Sequence, residues 1–151
     1  MTTAEKVKIS DAEWEIMRVV WSKKQASSQE IVSVLATKMD WKPATIKTLI
    51  GRLVKKELLT TEADGNRFIY RANVSETESV KSATESLFAH VCSKKVGSTI
   101  GNLIEEAQLS KSDIQMLEKL IQSKKATAVE EIVCNCVPGQ CECQEHQNVT
   151  I

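Results

Sequence analysis

The sequence predicts a mainly α-helical chain with one small β-hairpin, and three observations carry that prediction. Apolar residues recur at helical spacing through three N-terminal segments and again through three later ones. The pair Asp64-Gly65 stands between two β-prone runs, LLTTE at 58–62 and RFIYR at 67–71, a strong short-range hairpin signal. Near the end, CNCVPGQCEC at 134–143 gathers four cysteines in a chain that has one other, Cys92.

The first helix is expected over about residues 11–22. Ser10 and Glu13 have the spacing of a capping box, and Trp14, Met17 and Trp21 follow at helical intervals with Ile16 and Val20 beside them. Ser27 or Ser28 caps a second helix carrying Ile31, Val34, Leu35 and Met39. Pro43 suits the first turn of a third, where its missing N–H costs no hydrogen bond. There Ile46, Leu49, Ile50, Leu53 and Val54 form one apolar stripe. The opposite face collects Ala44, Thr48, Gly51, Arg52 and Lys55, flanked by Thr45, Lys47 and Lys56, with no acidic residue before Glu57. A solvated face ordinarily mixes both signs, so this one-sided charge points to a phosphate partner. Helix, helix, basic helix, hairpin is the order of an N-terminal winged helix-turn-helix, in which the third helix enters the major groove of duplex DNA.

Past Val74 the pattern is helical again. Ser75 can cap a helix running to about Lys95 with Val80, Ala83, Leu87, Phe88 and Val91 on one side. Gly97 and Gly101 surround an expected break, Ile100, Leu103 and Ile104 belong to a short helix, and Ser110 with Asp113 opens another. Three thin amphipathic helices bury little alone, so they read as a helical dimerisation region. The expected domains are 1–74 for DNA, 75–125 for dimerisation and 126–151 as a cysteine-rich metal-binding tail.

Charge and composition agree with that division. The net charge is zero, yet residues 1–75 hold 13 Lys and Arg against 9 Asp and Glu, while residues 76–151 hold 7 against 11. No apolar run approaches the roughly 20 residues that cross a bilayer, and MTTAEKVKISDAEWE is not a signal peptide, so no membrane partner is expected and the expected location is the cytoplasm. Thiols stay reduced there, which favours metal over disulfides. Soft thiolates select Cu(I) and Zn(II), and four of them close a tetrahedral zinc site. Val137-Pro138-Gly139-Gln140 supplies a turn that can fold Cys141 and Cys143 back towards Cys134 and Cys136. Cys92 reads as a small buried hydrophobe, His90 as a surface residue and His146 as a bystander to four sufficient thiols. Four thiolates leave a zinc no open position for water, and no nucleophile–base motif is present, so the chain is not read as an enzyme.

ISDAEWEIMRVVW, WKPATIKTLIGRLVKKELL, DGNRFIY and GSTIGNLIEEAQLS, in that order over roughly residues 7–125, resemble the BlaI/MecI/CopY family of winged-helix repressors. The Cys-x-Cys, four-residue spacer, Cys-x-Cys ending resembles its copper-responsive, CopY-type branch. That resemblance implies a homodimer on a palindromic operator, loaded with Zn(II) while repressing a copper-homeostasis operon and released when Cu(I) displaces zinc. Cys134, Cys136, Cys141 and Cys143 are then the metal ligands, and a copper chaperone is the partner that would deliver Cu(I). Thr45 and Thr48 are expected in the groove, with Lys42, Lys47, Arg52, Lys55 and Arg67 on phosphates or base edges. Two alternatives stand: a BlaI/MecI-type repressor controlled by proteolysis with an incidental thiol tail, and a thiol-based metal store.

Overall fold

A computed structural model describes residues 7–143. Helix α1 (Asp11–Lys23) begins at the expected capping box: Ser10 Oγ accepts from the Glu13 N–H while Glu13 Oε1 accepts from the Ser10 N–H, both at 3.2 Å. The helix buries Ile16, Met17, Val19 and Val20. Trp14 and Trp21 are half-buried, with ring centroids 5.7 Å apart, and Trp21 Nε1 donates to the Val74 carbonyl at 2.9 Å.

Ser27, not Ser28, caps α2 (Ser28–Met39), its hydroxyl accepting from the Glu30 N–H. Ile31 and Leu35 are buried on α2, but Val34 faces outward; Val32 and Met39 take up its expected share of the packing. Helix α3 (Pro43–Lys55) buries Ile46, Leu49, Ile50 and Leu53 as its stripe requires. These helices and the inner face of the sheet enclose the core of the N-terminal unit.

The hairpin pairs β2 (Leu59–Asp64) with β3 (Arg67–Ala72), Leu59 opposite Ala72 and Asp64 opposite Arg67. Its two-residue loop is Gly65-Asn66. Gly65 has φ +64° and Asn66 does not take a positive φ, the pattern of a type II′ turn. A third strand, β1 (Ala26–Ser27), pairs antiparallel with β3 and gives the order β1-β3-β2. Two residues carry no periodicity, so sequence reasoning had nothing to find there. Asn73 closes the far end of the hairpin: its side chain donates to the Glu57 carbonyl and its N–H to Leu58, both at 2.9 Å.

Ser75 caps α4 (Glu76–Phe88), accepting from the Glu78 N–H at 3.1 Å. This helix stops seven residues short of the expected Lys95. Its last turn tightens as His90 and Val91 donate to Leu87 and Phe88, and Cys92 turns extended. The Ser93 N–H, which a continuing helix would aim at Ala89, goes instead to the Asn135 side chain at 2.9 Å. A 3-10 turn at Ser93–Lys95 leads into α5 (Val96–Glu106), which contains Gly97 and Gly101. The break therefore precedes both glycines rather than lying between them. Each glycine costs a helix about 1 kcal/mol, too little to interrupt one that is otherwise formed. Helix α6 (Lys111–Lys124) starts at the expected box of Ser110 and Asp113, and a 3-10 turn at Lys125–Thr127 follows.

The chain divides into two compact units between Thr84 and Glu85. Among the described residues of the second unit, Cys92 is the only buried one, while Leu87, Leu103, Leu120 and Ile121 are all more than half exposed. Among the described residues no helix is long and apolar enough to cross a membrane.

One ion pair lies inside the first unit. Lys56, read from sequence as a flank of the basic face, turns inward: its Nζ donates to Glu13 Oε1 at 2.7 Å and to the Lys8 carbonyl at 3.0 Å. Glu13 is 2% exposed, and its Oε2 has no partner among the described residues. Burial pushes the Glu13 carboxyl up, but the Lys56 ammonium and the hydrogen bonds from Ser10 outweigh it and hold the carboxyl below its ordinary value. The pair's contribution is thus present at neutral pH and lost as pH falls through that lowered value. Lys56→Met should cost about 2 kcal/mol at pH 7, the worth of a charge-assisted hydrogen bond. Denaturant unfolding across pH checks this: the gap between wild type and variant should shrink as the solution is acidified through the carboxylate range, and a pH-independent gap would rule the pair out as its source.

Candidate nucleic-acid interface and candidate metal centre

The same packing that buries one stripe of α3 turns its other face outward. Lys42, Thr45, Lys47, Thr48, Arg52 and Lys55 are all exposed there. Lys42 is the N-cap residue and makes no capping bond with its side chain, so its ammonium remains available. Among the described residues, none of Lys42, Lys47, Arg52 and Lys55 enters an ion pair, whereas other cations of this unit do. Lys38 meets Glu15 at 2.6 Å, Lys56 meets Glu13, and Arg71 bonds Glu62 and the Gln25 side chain. Cations paired in this way are already neutralised; the α3 row keeps its charge for a polyanion. Thr48 Oγ1 donates back to the Ala44 carbonyl at 3.0 Å, which occupies its proton and leaves its methyl and an acceptor lone pair facing out.

Arg67 sits at the start of β3 beside the hairpin tip, 3.5 Å from Asp64, with both groups exposed. An exposed pair of this kind is worth about 0–1 kcal/mol, so a phosphate can take Arg67 from its carboxylate. Between α3 and the hairpin lies a cleft of about 510 Å³. Lys47, Asn66, Arg67 and Phe68 line it together with Ser28 and Gln29 from the first turn of α2. Sequence reasoning missed the α2 contribution and Phe68, which is 58% exposed. The alternation of β3 was the available clue: Ile69 is buried, so Phe68 must lie on the other face.

Five sulfurs meet in the second unit. Cys92 Sγ stands 3.5 Å from Cys134 and 3.6 Å from Cys143, and Cys134 stands 3.4 Å from Cys141. The ligand atoms of Cys92, Cys134, Cys136 and Cys141 all lie within 4.8 Å of one another. None is in a disulfide. The expected turn makes this possible: Gln140 N–H donates to the Val137 carbonyl at 3.1 Å and Gly139 takes φ +95°. Cys92 is buried, as its apolar neighbourhood suggested, and its sulfur meets those of Cys134 and Cys143. His90 is exposed, and His146 lies outside the described residues.

Sulfurs around a tetrahedral zinc with bonds of about 2.3 Å stand about 3.8 Å apart, so this cluster needs shifts of only a few tenths of an ångström at the pairs measured. The donor set therefore fits a thiophilic ion. Thiolate character is uneven across it. The backbone N–H of Lys94 pulls Cys92 down to about 7 against the opposing effect of burial, and the N–H of Cys143 lowers Cys141. Burial and hydrogen bonds to neighbouring thiols push Cys136 up to about 12. Cys143 is raised by Cys141 first and then by burial. The N–H of Cys136 favours the Cys134 thiolate, but burial, Cys141 and Cys92 together outweigh it and raise that thiol too. Cys92 and Cys141 are thus the two sulfurs of the cluster at which the thiolate is favoured.

The penicillinase repressor profile matches residues 9–123, ending before the tail. The chain is 48% identical over 139 residues to an uncharacterized 16.5 kDa protein in the ptsI 3′ region of Latilactobacillus sakei, covering 92% of this chain and 95% of that protein. It is 34% identical over 116 residues to the methicillin resistance regulatory protein MecI of Staphylococcus aureus, covering 77% and 94%. A solved CopR repressor structure is 45% identical, covering 46% of this chain and 100% of that one with a TM-score of 0.40.

The exposed α3 row yields a quantitative expectation for duplex binding. Lys55→Ala and Arg52→Ala should each lower affinity evenly across sequences and reduce the salt slope by about 0.9 for every phosphate no longer neutralised. Thr48→Ala should change sequence preference instead. Fluorescence anisotropy at a series of salt concentrations reads both, and wild-type strength and slope in the two cation variants would place the interface elsewhere.

Proposed function

This chain belongs to the penicillinase repressor family of transcriptional repressors, and from that premise we propose that it is a cytoplasmic, metal-responsive repressor of a copper-homeostasis operon. In this reading it binds a palindromic operator as a zinc-loaded homodimer and lets go when Cu(I) takes the zinc site. The observation that carries the proposal is the thiol cluster: four sulfurs within 4.8 Å of one another can all reach one thiophilic ion.

The division of labour follows the expected domains. Residues 1–74 present the α3 row and the hairpin tip to DNA, Thr45 and Thr48 in the groove and Lys42, Lys47, Arg52, Lys55 and Arg67 on phosphates or base edges. Residues 75–125 dimerise. The support is that, among the described residues, nothing buries the apolar side chains of α4, α5 and α6, and a second copy would cover them while setting two recognition helices on two half-sites. Residues 126–151 sense metal. Cys134, Cys136, Cys141 and Cys143 would hold zinc in the repressing form and give it up to Cu(I) delivered by a copper chaperone. A bound metal supplies a crosslink between the two Cys-x-Cys arms.

One zinc with four thiolates and two Cu(I) with the same four carry equal formal charge. Repulsion from DNA therefore cannot drive release, and the arms must be arranged differently in the two forms. A ligand shifts an equilibrium only by its differential affinity for the two states, so the DNA-competent arrangement of the arms has to be the one zinc favours.

Two measurements test this function. In an anaerobic titration of the zinc form, about two Cu(I) per chain should expel one zinc and free the operator, while replacing all four tail cysteines with serine should abolish the response. Zinc leaving with the complex intact would sink the switch and favour a repressor whose thiol tail is incidental. Separately, a fragment ending near Val74 should sediment as a folded monomer and bind a half-site weakly; a dimeric fragment would move the interface out of residues 75–125.

A further inference from the structure

We infer that Cys92 is itself a metal ligand, so that the centre is closed by the helical part of the second unit as well as by the tail. This inference rests on the reading of the tail as a metal centre and adds to it a fifth sulfur and a physical attachment. The four sulfurs gathered within 4.8 Å of one another include one from outside the tail. They are Cys92, Cys134, Cys136 and Cys141, while Cys143 stands 3.6 Å from Cys92.

The backbone around Cys92 is organised for the same meeting. Ser93 Oγ donates to the Val133 carbonyl at 2.6 Å, the Ser93 N–H to Asn135 Oδ1 at 2.9 Å, and the Asn135 N–H back to Ser93 Oγ at 3.1 Å. Two of these bonds join the residue next to Cys92 to the residue between Cys134 and Cys136, and the third holds the residue before Cys134, which together set the three sulfurs side by side. A thiol acting only as a small hydrophobe would call for none of this.

Tetrahedral zinc takes four of the five sulfurs. In the zinc form Cys92 takes the place that the tail alone would give to Cys143, so that Cys92, Cys134, Cys136 and Cys141 form the set and Cys143 is the reserve. Cys92 precedes the 3-10 turn that starts α5, so a metal held there ties the tail to the junction between α4 and α5. Any exchange of metal that re-sorts the sulfurs then pulls on the helices proposed to dimerise. The tail need not touch DNA to report what it holds.

Co(II) is the probe, because its sulfur-to-metal charge-transfer absorbance counts thiolates. In anaerobic full-length protein, Cys143→Ser separates the two ligand sets: it keeps the wild-type absorbance per cobalt where Cys92 is the fourth ligand, and a loss of about a quarter, the result if the tail alone closes the site, overturns the inference. Adding Cys92→Ser in that background should remove about a quarter of it, leaving three thiolates of four. No further loss on adding Cys92→Ser overturns the inference. A measurement free of any substitution runs beside it: in wild-type protein with ¹³Cβ-labelled cysteine, the Cys92 resonance should move with that of Cys134 on adding one equivalent of zinc, and a Cys92 resonance left in place also overturns it. Wild-type protein that takes up no cobalt or zinc is a different failure, that of the metal reading itself.

Discussion

Ile46, Leu49, Ile50 and Leu53 are driven out of water on one side of α3, and what the N-terminal unit can offer a partner depends on that burial. Each side chain is worth about 1.5–3 kcal/mol when fully buried. A rotation of α3 that exposed even two of them would cost more than any surface ion pair could return, since such pairs are worth about 0–1 kcal/mol. The helix is therefore fixed about its axis by hydrocarbon. Lys42, Lys47, Arg52 and Lys55 face outward because every other rotation is more costly, and Lys56, one step further round, falls against Glu13.

That one-residue difference separates two uses of the same side chain. Lys56 stabilises the unit by neutralising a carboxylate that α1 buries at its first turn, where the Ser10 box already holds it. Among the described residues the outward cations Lys42, Lys47, Arg52 and Lys55 form no ion pair. Arg71 and Lys38, though exposed, are held by Glu62 and Glu15 on the sheet and helix surfaces. A row of cations on one face with no ion pair among the described residues is how a chain of zero net charge can still present a basic surface.

The second unit is built on the opposite principle. It has almost no interior of its own, and among its described residues the one buried side chain is a thiol. What fixes the tail is a short set of hydrogen bonds between Ser93 and residues 133–135, with sulfurs beside them. Hydrogen bonds that remain exposed contribute little net stability. Such a unit is poised to be completed from outside, by apolar surface over α5 and α6 and by a thiophilic ion among the sulfurs.

The sequence by itself determined the local structure and much of the chemistry. The Ser10 and Ser110 boxes, the stripe of α3, the Gly65 turn and the Pro-Gly turn of the tail are all decided within a few residues of chain, by capping, periodicity or backbone freedom. So is the clustering of Cys134, Cys136, Cys141 and Cys143. Tertiary structure decided whatever depends on residues far apart in sequence. Strand β1 exists only because Tyr70 and Ile69 come to lie beside it. Lys56 is lost to the basic face because Glu13 stands 43 residues earlier. Past the tightened last turn of α4, the Ser93 N–H goes to Asn135, 42 residues away in sequence. Cys92 joins the thiols for the same reason: its own neighbours, Val91 and Ser93, give no hint of sulfur 42 residues away, and only the folded chain brings them within 3.5 Å.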